Sequence, residues 1–236
     1  MDDLMELDHR VFGKMPPALL EGAHLAGLYP ATHPSVRLRE MEAFRLLKAH
    51  PEMTLSARSA LALYDAMTAG TICEGWGFRT CNCYVKHGDF LYIAPSGEQA
   101  PRLAEDLFHR YQELNDPGRV QMEGIFHFLF EFICIHPMAE GNGRLSAFLV
   151  QLLLQRAGFS CAPYLPYDFI QNRRYYSRFQ QHIQTLSGMY YGQKQGDLAP
   201  FVRLCENFVE LALRLLEETC DGMVPTEQPR AYATGR

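Results

Sequence analysis

Between two apolar segments lies the stretch Ile135-His136-Pro137-Met138-Ala139-Glu140-Gly141-Asn142-Gly143-Arg144, whose composition suits chemistry better than connection. A helix reaching Ile135 is stopped by Pro137, and Gly141 and Gly143 permit a tight loop whose backbone N–H groups turn toward the next helix start. Such a start attracts anions, because its amides lack partners and the helix dipole is positive there. Arg144, in the first turn, adds a permanently charged planar fork. Glu140, four residues after His136, offers a hard oxygen ligand to Mg²⁺, an ion that commonly bridges a carboxylate and phosphate oxygens. His136 is then left as a base, with an ordinary pKa near 6.5 that allows it to take a proton from a hydroxyl at neutral pH. A histidine before a proline is, by itself, more often a cap or a core residue; the E-G-N-G-R that follows is what makes this one a candidate base.

These residues need elements to hold them. The run Ile125 to Ile135 is apolar nearly all round, with Phe126, Phe128, Phe130 and Phe132, and is expected to be the central buried helix that ends at His136. Helical spacing predicts further helices over Val36–His50, Leu55–Ala69 (capped by Thr54), Ala100–Leu114, Arg119–Ile135, Gly143–Ala157, Tyr167–Leu186 and Leu198–Thr219. Phe78–Val85 and Phe90–Ala94, joined by His87-Gly88-Asp89, carry the one convincing strand signal, a β-hairpin. The fold class is therefore mainly α with a single hairpin. Residues 1–35 read as an N-terminal arm containing a short helix, Ala18–Leu28, residues 36–220 as the folded domain, and residues 221–236 as a polar tail.

The string H-P-x-x-E-G-N-G-R resembles the signature of the Fic (Fic/Doc) family of nucleotidyltransferases, H-x-F-x-[D/E]-G-N-G-R-x-x-R. Upstream, Trp76-Gly77-Phe78-Arg79-Thr80 and the proline-ended Tyr92-Ile93-Ala94-Pro95 are similar to the family's G-x-[F/Y]-R-T segment and flap hairpin. Downstream, Gly196-Asp197-Leu198-Ala199-Pro200-Phe201-Val202 resembles its late helices, so the likeness runs from about Val36 to Glu218. The resemblance implies a helical bundle with a hairpin flap that transfers a nucleoside monophosphate, most commonly AMP from ATP, onto a Ser, Thr or Tyr hydroxyl of a protein held along the flap. It implies His136 as the catalytic base, Glu140 as the Mg²⁺ ligand, and Gly141, Asn142, Gly143 and Arg144 as the nucleotide-binding residues, with Arg79 and Tyr92 as target or flap residues, Arg79 either binding the target or orienting the flap, unless it is an ordinary surface charge. Two positions depart from the pattern. Met138 replaces phenylalanine, a volume-tolerant swap. Ala147 replaces the second arginine, which in the family grips the γ-phosphate and pairs with an inhibitory glutamate. Leu20-Glu21-Gly22 in the arm partly resembles that inhibitory motif, with Pro17 where Ser or Thr belongs, so Glu21 is the candidate inhibitory residue and autoinhibition is expected to be altered or lost. Gly143 stands where the family's phosphotransferase branch carries lysine. The alternatives are a catalytically silent nucleotide- or protein-binding module of the same fold, and a transferase using another phosphate-containing donor.

Composition narrows the field from the other side. The 236 residues are 47% hydrophobic and 21% charged, as in ordinary soluble domains. A net charge of −5 disfavours nucleic acid and acidic membranes as partners, so any positive potential for phosphate must be local. The apolar run at Ile125–Ile135 is too short for a bilayer span, the acidic N-terminus lacks a signal-peptide pattern, and seven scattered cysteines without a C-x-x-C suit reduced thiols. A cytoplasmic setting is expected, with delivery into a host cell by a specialised secretion system left open, as is the oligomeric state.

Overall fold

In the computed structural model, residues 1–15, 34–87, 90–161, 173–191 and 196–223 are described. They form α1 (Asp2–Lys14), α2 (Pro34–Ala49), α3 (Ala57–Thr68), an antiparallel hairpin of β1 (Tyr84–His87) and β2 (Phe90–Ile93), α4 (Ala100–Arg110), a 3₁₀ turn (Gln112–Asn115), α5 (Met122–Ile135), α6 (Asn142–Arg156), α7 (Arg173–Tyr191) and α8 (Ala199–Met223). The inhibitory-helix candidate at Glu21, the hairpin turn Gly88-Asp89, the start of the late helix before Arg173 and the tail from residue 224 lie outside these residues.

As expected, α5 is the axis. Ile125, Phe126, Phe128, Phe132 and Cys134 have no exposed surface, and neighbours close on every side. Phe108 of α4 lies 5.8 Å from Phe128, and Phe201 of α8 lies 5.5 Å from Phe130, centroid to centroid. Glu131, in the middle of the apolar run, is accommodated at its edge by an ion pair with Arg110 and a 2.7 Å hydrogen bond from the Tyr111 hydroxyl. Phe179 of α7 packs on Phe201 at 5.4 Å, which ties α7 to the same core.

Three local readings change. Ser56, not Thr54, caps α3, accepting from the Ser59 N–H at 3.1 Å. The first strand is only four residues long, because Phe78–Cys83 has no strand to pair with and runs as irregular chain. Residues 2–14, read as part of an arm, form a docked helix. Leu7 and Val11 are buried, Arg10 and Lys14 reach Glu217 at 2.8 and 3.2 Å, and Lys14 also meets Asp221 at 3.0 Å. The carboxylate of Asp8, fully buried, accepts from the Ser160 and Cys161 N–H groups at 2.5 and 2.9 Å, capping the turn after α6. Among the described residues no helix is long and apolar enough to cross a membrane.

Candidate active site

The site is built where α5 stops. Pro137 disfavours a helical conformation for the residue before it, and His136 closes α5 in the left-handed region, φ 51° and ψ 58°, while its N–H still bonds the Phe132 carbonyl at 2.9 Å. It is the only non-glycine residue with positive φ among those described. The last carbonyls of a helix lack partners within it, and here a side chain from another segment supplies them. Arg79 donates from Nε to the His136 carbonyl at 2.7 Å and from Nη2 to the Ile135 carbonyl at 3.1 Å. The same guanidinium donates from Nη2 to Pro95 and from Nη1 to Cys81, each at 2.7 Å, and the Arg79 backbone N–H bonds the Pro137 carbonyl at 2.8 Å.

Beyond Pro137 the loop is held by Asn142. Its side-chain oxygen accepts from the Met138 N–H at 2.8 Å and its side-chain nitrogen donates to the Met138 carbonyl at 2.7 Å, with both residues buried. Gly141 turns the chain into α6 at φ 77°, a conformation that favours glycine, and a Cβ there would press on the Met67 methyl at 3.1 Å and the Arg144 guanidinium at 3.3 Å. The first bond of α6 runs from Leu145 N–H to the Gly141 carbonyl, so the amides of Asn142, Gly143 and Arg144 precede the helical ladder.

These pieces surround a cavity of about 390 Å³. His136, Glu140, Gly141 and Gly143 line one side, β1 and Tyr92 another, and Phe179, Gln180 and Ile183 of α7 a third. The Nδ1 atom of His136 is buried without a well-formed hydrogen bond. Burial, assisted by the Arg79 charge and opposed by the nearby Ile133 carbonyl, pushes the imidazole down to about 4, so it is neutral at physiological pH. Glu140 is exposed and, among the described residues, has no hydrogen-bond or ion-pair partner. Arg144 is half-buried on the Met67 side of Gly141, also without a carboxylate partner among them. The charges of Glu140 and Arg144 both reach the Tyr64 hydroxyl, which is raised to about 12 first by burial and then by the adjacent Cys73, with Glu140 adding to the rise and Arg144 opposing it.

The structure thus gathers His136, Glu140, Gly141 and Gly143 around one cavity, with Arg144 at its flank. Asn142 is nearby, but both ends of its side chain are engaged by the loop, so only its amide faces the anion-attracting end of α6. Arg79 and Tyr92, read as target or flap residues, with Arg79 either binding the target or orienting the flap, have their side chains turned inward. Arg79 is 3% exposed, and the Tyr92 hydroxyl bonds the Cys134 carbonyl of α5. What the hairpin shows to solvent is the opposite face, where Tyr84 pairs with Ile93 and Lys86 with Leu91. Ala147, in place of the second arginine, is 2% exposed. Several lining residues, Ser146, Phe179, Gln180 and Ile183 among them, escaped the sequence reading. Ser146, whose hydroxyl donates to the Gly143 carbonyl at 2.8 Å, follows the motif by one turn, and Phe179, Gln180 and Ile183 share one face of α7 by their spacing.

Residues 43–154 match the model of the Fic/DOC family. The chain is 28% identical over 210 residues to a protein adenylyltransferase fic-1 of Caenorhabditis briggsae, an alignment covering 83% of this chain and 36% of the relative. It is 28% identical over 144 residues to a protein adenylyltransferase Fic of Drosophila grimshawi, covering 60% and 26%. The chain spans about a third of the length of the curated relatives it matches first. Among solved structures, a fragment of Fic-1 from C. elegans superposes with a TM-score of 0.64 at 16% identity, over 94% of this chain and 72% of that one. A Fic domain containing signaling protein from Bacteroides thetaiotaomicron gives 0.62 at 16% identity, over 97% and 91%. At these identities the structural likeness speaks to the fold.

Proposed function

The chain is a Fic family protein, and from that premise we propose that it transfers AMP from ATP onto a hydroxyl side chain of another protein bound along the β1–β2 hairpin. The observation that carries this reading is a neutral, half-buried His136 on the wall of a cavity that also holds an unpartnered carboxylate, Glu140, and the open amides of α6. A neutral imidazole accepts the hydroxyl proton at Nε2 as the hydroxyl oxygen attacks the α-phosphorus; the bond to the departing pyrophosphate breaks in the same displacement. The amides of Asn142, Gly143 and Arg144, with the Arg144 guanidinium, supply donors and positive potential for the phosphate oxygens.

Glu140 suits Mg²⁺, because that ion is usually bound through one or two carboxylates together with substrate phosphates rather than by a protein cage. When bound it would neutralise phosphate charge beside Glu140. A strand laid against the free edge of β1 would present its hydroxyl through main-chain bonds, a mode that asks little of the target's sequence. Ala147 offers no guanidinium to a γ-phosphate, which favours loss of the brake that the Glu21 segment would otherwise apply and opens the site to other phosphate-containing donors. The test is incubation with ATP, CTP, GTP or UTP labelled at the α-phosphate, with Mg²⁺ and a cell lysate. Label from ATP should enter protein and be lost with His136→Ala. Absence of transfer from every nucleotide, or transfer that persists in His136→Ala, overturns the reading.

A further inference from the structure

We propose that Arg79 is a positioning residue that sets the hairpin and His136 in one frame, so that a hydroxyl presented by the hairpin arrives at the base. The inference rests on the reading of His136 as the base, and it concerns what fixes that base relative to its substrate.

The guanidinium donates to four main-chain carbonyls. Two of its acceptors, the carbonyls of Ile135 and His136, belong to the end of α5. The other two, Cys81 and Pro95, flank the hairpin, one just before β1 and the other just after β2. One planar group therefore spans both feet of the hairpin and the backbone of the catalytic histidine, and at 3% exposed it is sealed from solvent. The feet are themselves locked together. A Cβ on Gly97 would lie 2.2 Å from the Thr80 carbonyl oxygen, and the Gly97 N–H bonds the Asn82 side chain at 2.8 Å. Only arginine among the side chains offers several donors in a rigid plane that can serve four carbonyls at once; lysine has one nitrogen on a flexible stem.

The phosphate side of the cavity is supported separately. Asn142 holds the loop through Met138, and the amides of α6 are placed by that helix, with no contact to Arg79 in either set. Loosening Arg79 should accordingly disturb how hydroxyl and base meet while leaving nucleotide binding in place. A residue that merely stabilised the fold would affect both together.

The experiment uses the full chain as Arg79→Lys and Arg79→Met. Mg²⁺–ATP affinity is measured by displacement of a fluorescent ATP analogue, and kcat is taken as the rate of label transfer from saturating ATP into lysate protein. For Arg79→Lys we expect affinity within about threefold of the parent and kcat lowered on the order of a hundredfold, the cost of roughly 1 Å of misplacement at a reacting centre. Arg79→Met should lose at least as much. A kcat for Arg79→Lys within about threefold of the parent overturns the proposal, and so does parallel loss of affinity and kcat in a folded variant or failure of both variants to fold. Failure of the underlying reading looks different, since it appears as an inactive parent or as an active His136→Ala, whereas failure of this proposal is an enzyme that needs His136 and is indifferent to Arg79→Lys.

Discussion

Titrating His136 should alter stability as well as catalysis. In the folded chain its imidazole is held at about 4, while in the unfolded chain it takes its ordinary value of 6.5. Between these values the unfolded state binds a proton that the folded state refuses, so stability falls as pH drops below about 6.5, and the loss is complete only below the folded value. With each pKa unit equivalent to about 1.4 kcal/mol, lowering the pH from 7 to 5 removes about 2 kcal/mol through this one residue. The comparison is urea unfolding of the parent and His136→Gln at both pH values, where the other titrating groups cancel. The parent should lose about 2 kcal/mol more than the variant, and the free-enzyme quantity kcat/KM should stay level well below pH 6.5 because the base is already unprotonated there. Equal losses in the two proteins would show that the ring is solvated in the fold, and the account of its neutrality would fail.

Two further outcomes test the scaffold. Asn142→Ala leaves the buried N–H and carbonyl of Met138 without partners and should cost about 2–5 kcal/mol by urea denaturation, with weakened ATP-analogue binding as the loop loosens. Asp8→Ala strands the N–H groups of Ser160 and Cys161 after α6 and should cost about 2–4 kcal/mol in the same assay, with protection from hydrogen exchange lost first along α1.

The motif loop could be anticipated because its signals are local. Pro137 stops a helix wherever it stands, Gly141 permits a left-handed turn, and the phenylalanines of α5 declare burial on every face. Arg79 stood out through its place in the Gly77-Phe78-Arg79-Thr80 segment, but nothing local showed what it holds. Its partners are main-chain carbonyls as many as 57 residues away, and a carbonyl has no identity in sequence. Asn142 misled in a related way, because an amide beside two glycines looks available until the Met138 backbone claims both of its ends. In α1 the apolar residues Leu4, Leu7 and Val11 do fall at helical spacing, but the acidic residues between them hid a face whose value depends on Glu217 and Asp221 at the far end of the chain. The shortened first strand reflects the same limit: Phe78–Cys83 has β-forming composition, yet a strand also needs a neighbour, and the chain there is occupied in reaching the end of α5.

Five of the seven cysteines are buried, Cys83 is partly covered, and Cys81 alone is exposed. Burial also raises the thiol of Cys134 well above its ordinary range, and those of Cys83, Cys161 and Cys220 upward, which slows their alkylation at neutral pH. A limiting dose of maleimide dye would therefore land at the residue whose carbonyl Arg79 holds, without any engineered mutation. The native chain carries a spectroscopic reporter at the hairpin's foot, and its emission could follow the capture of a protein target in real time.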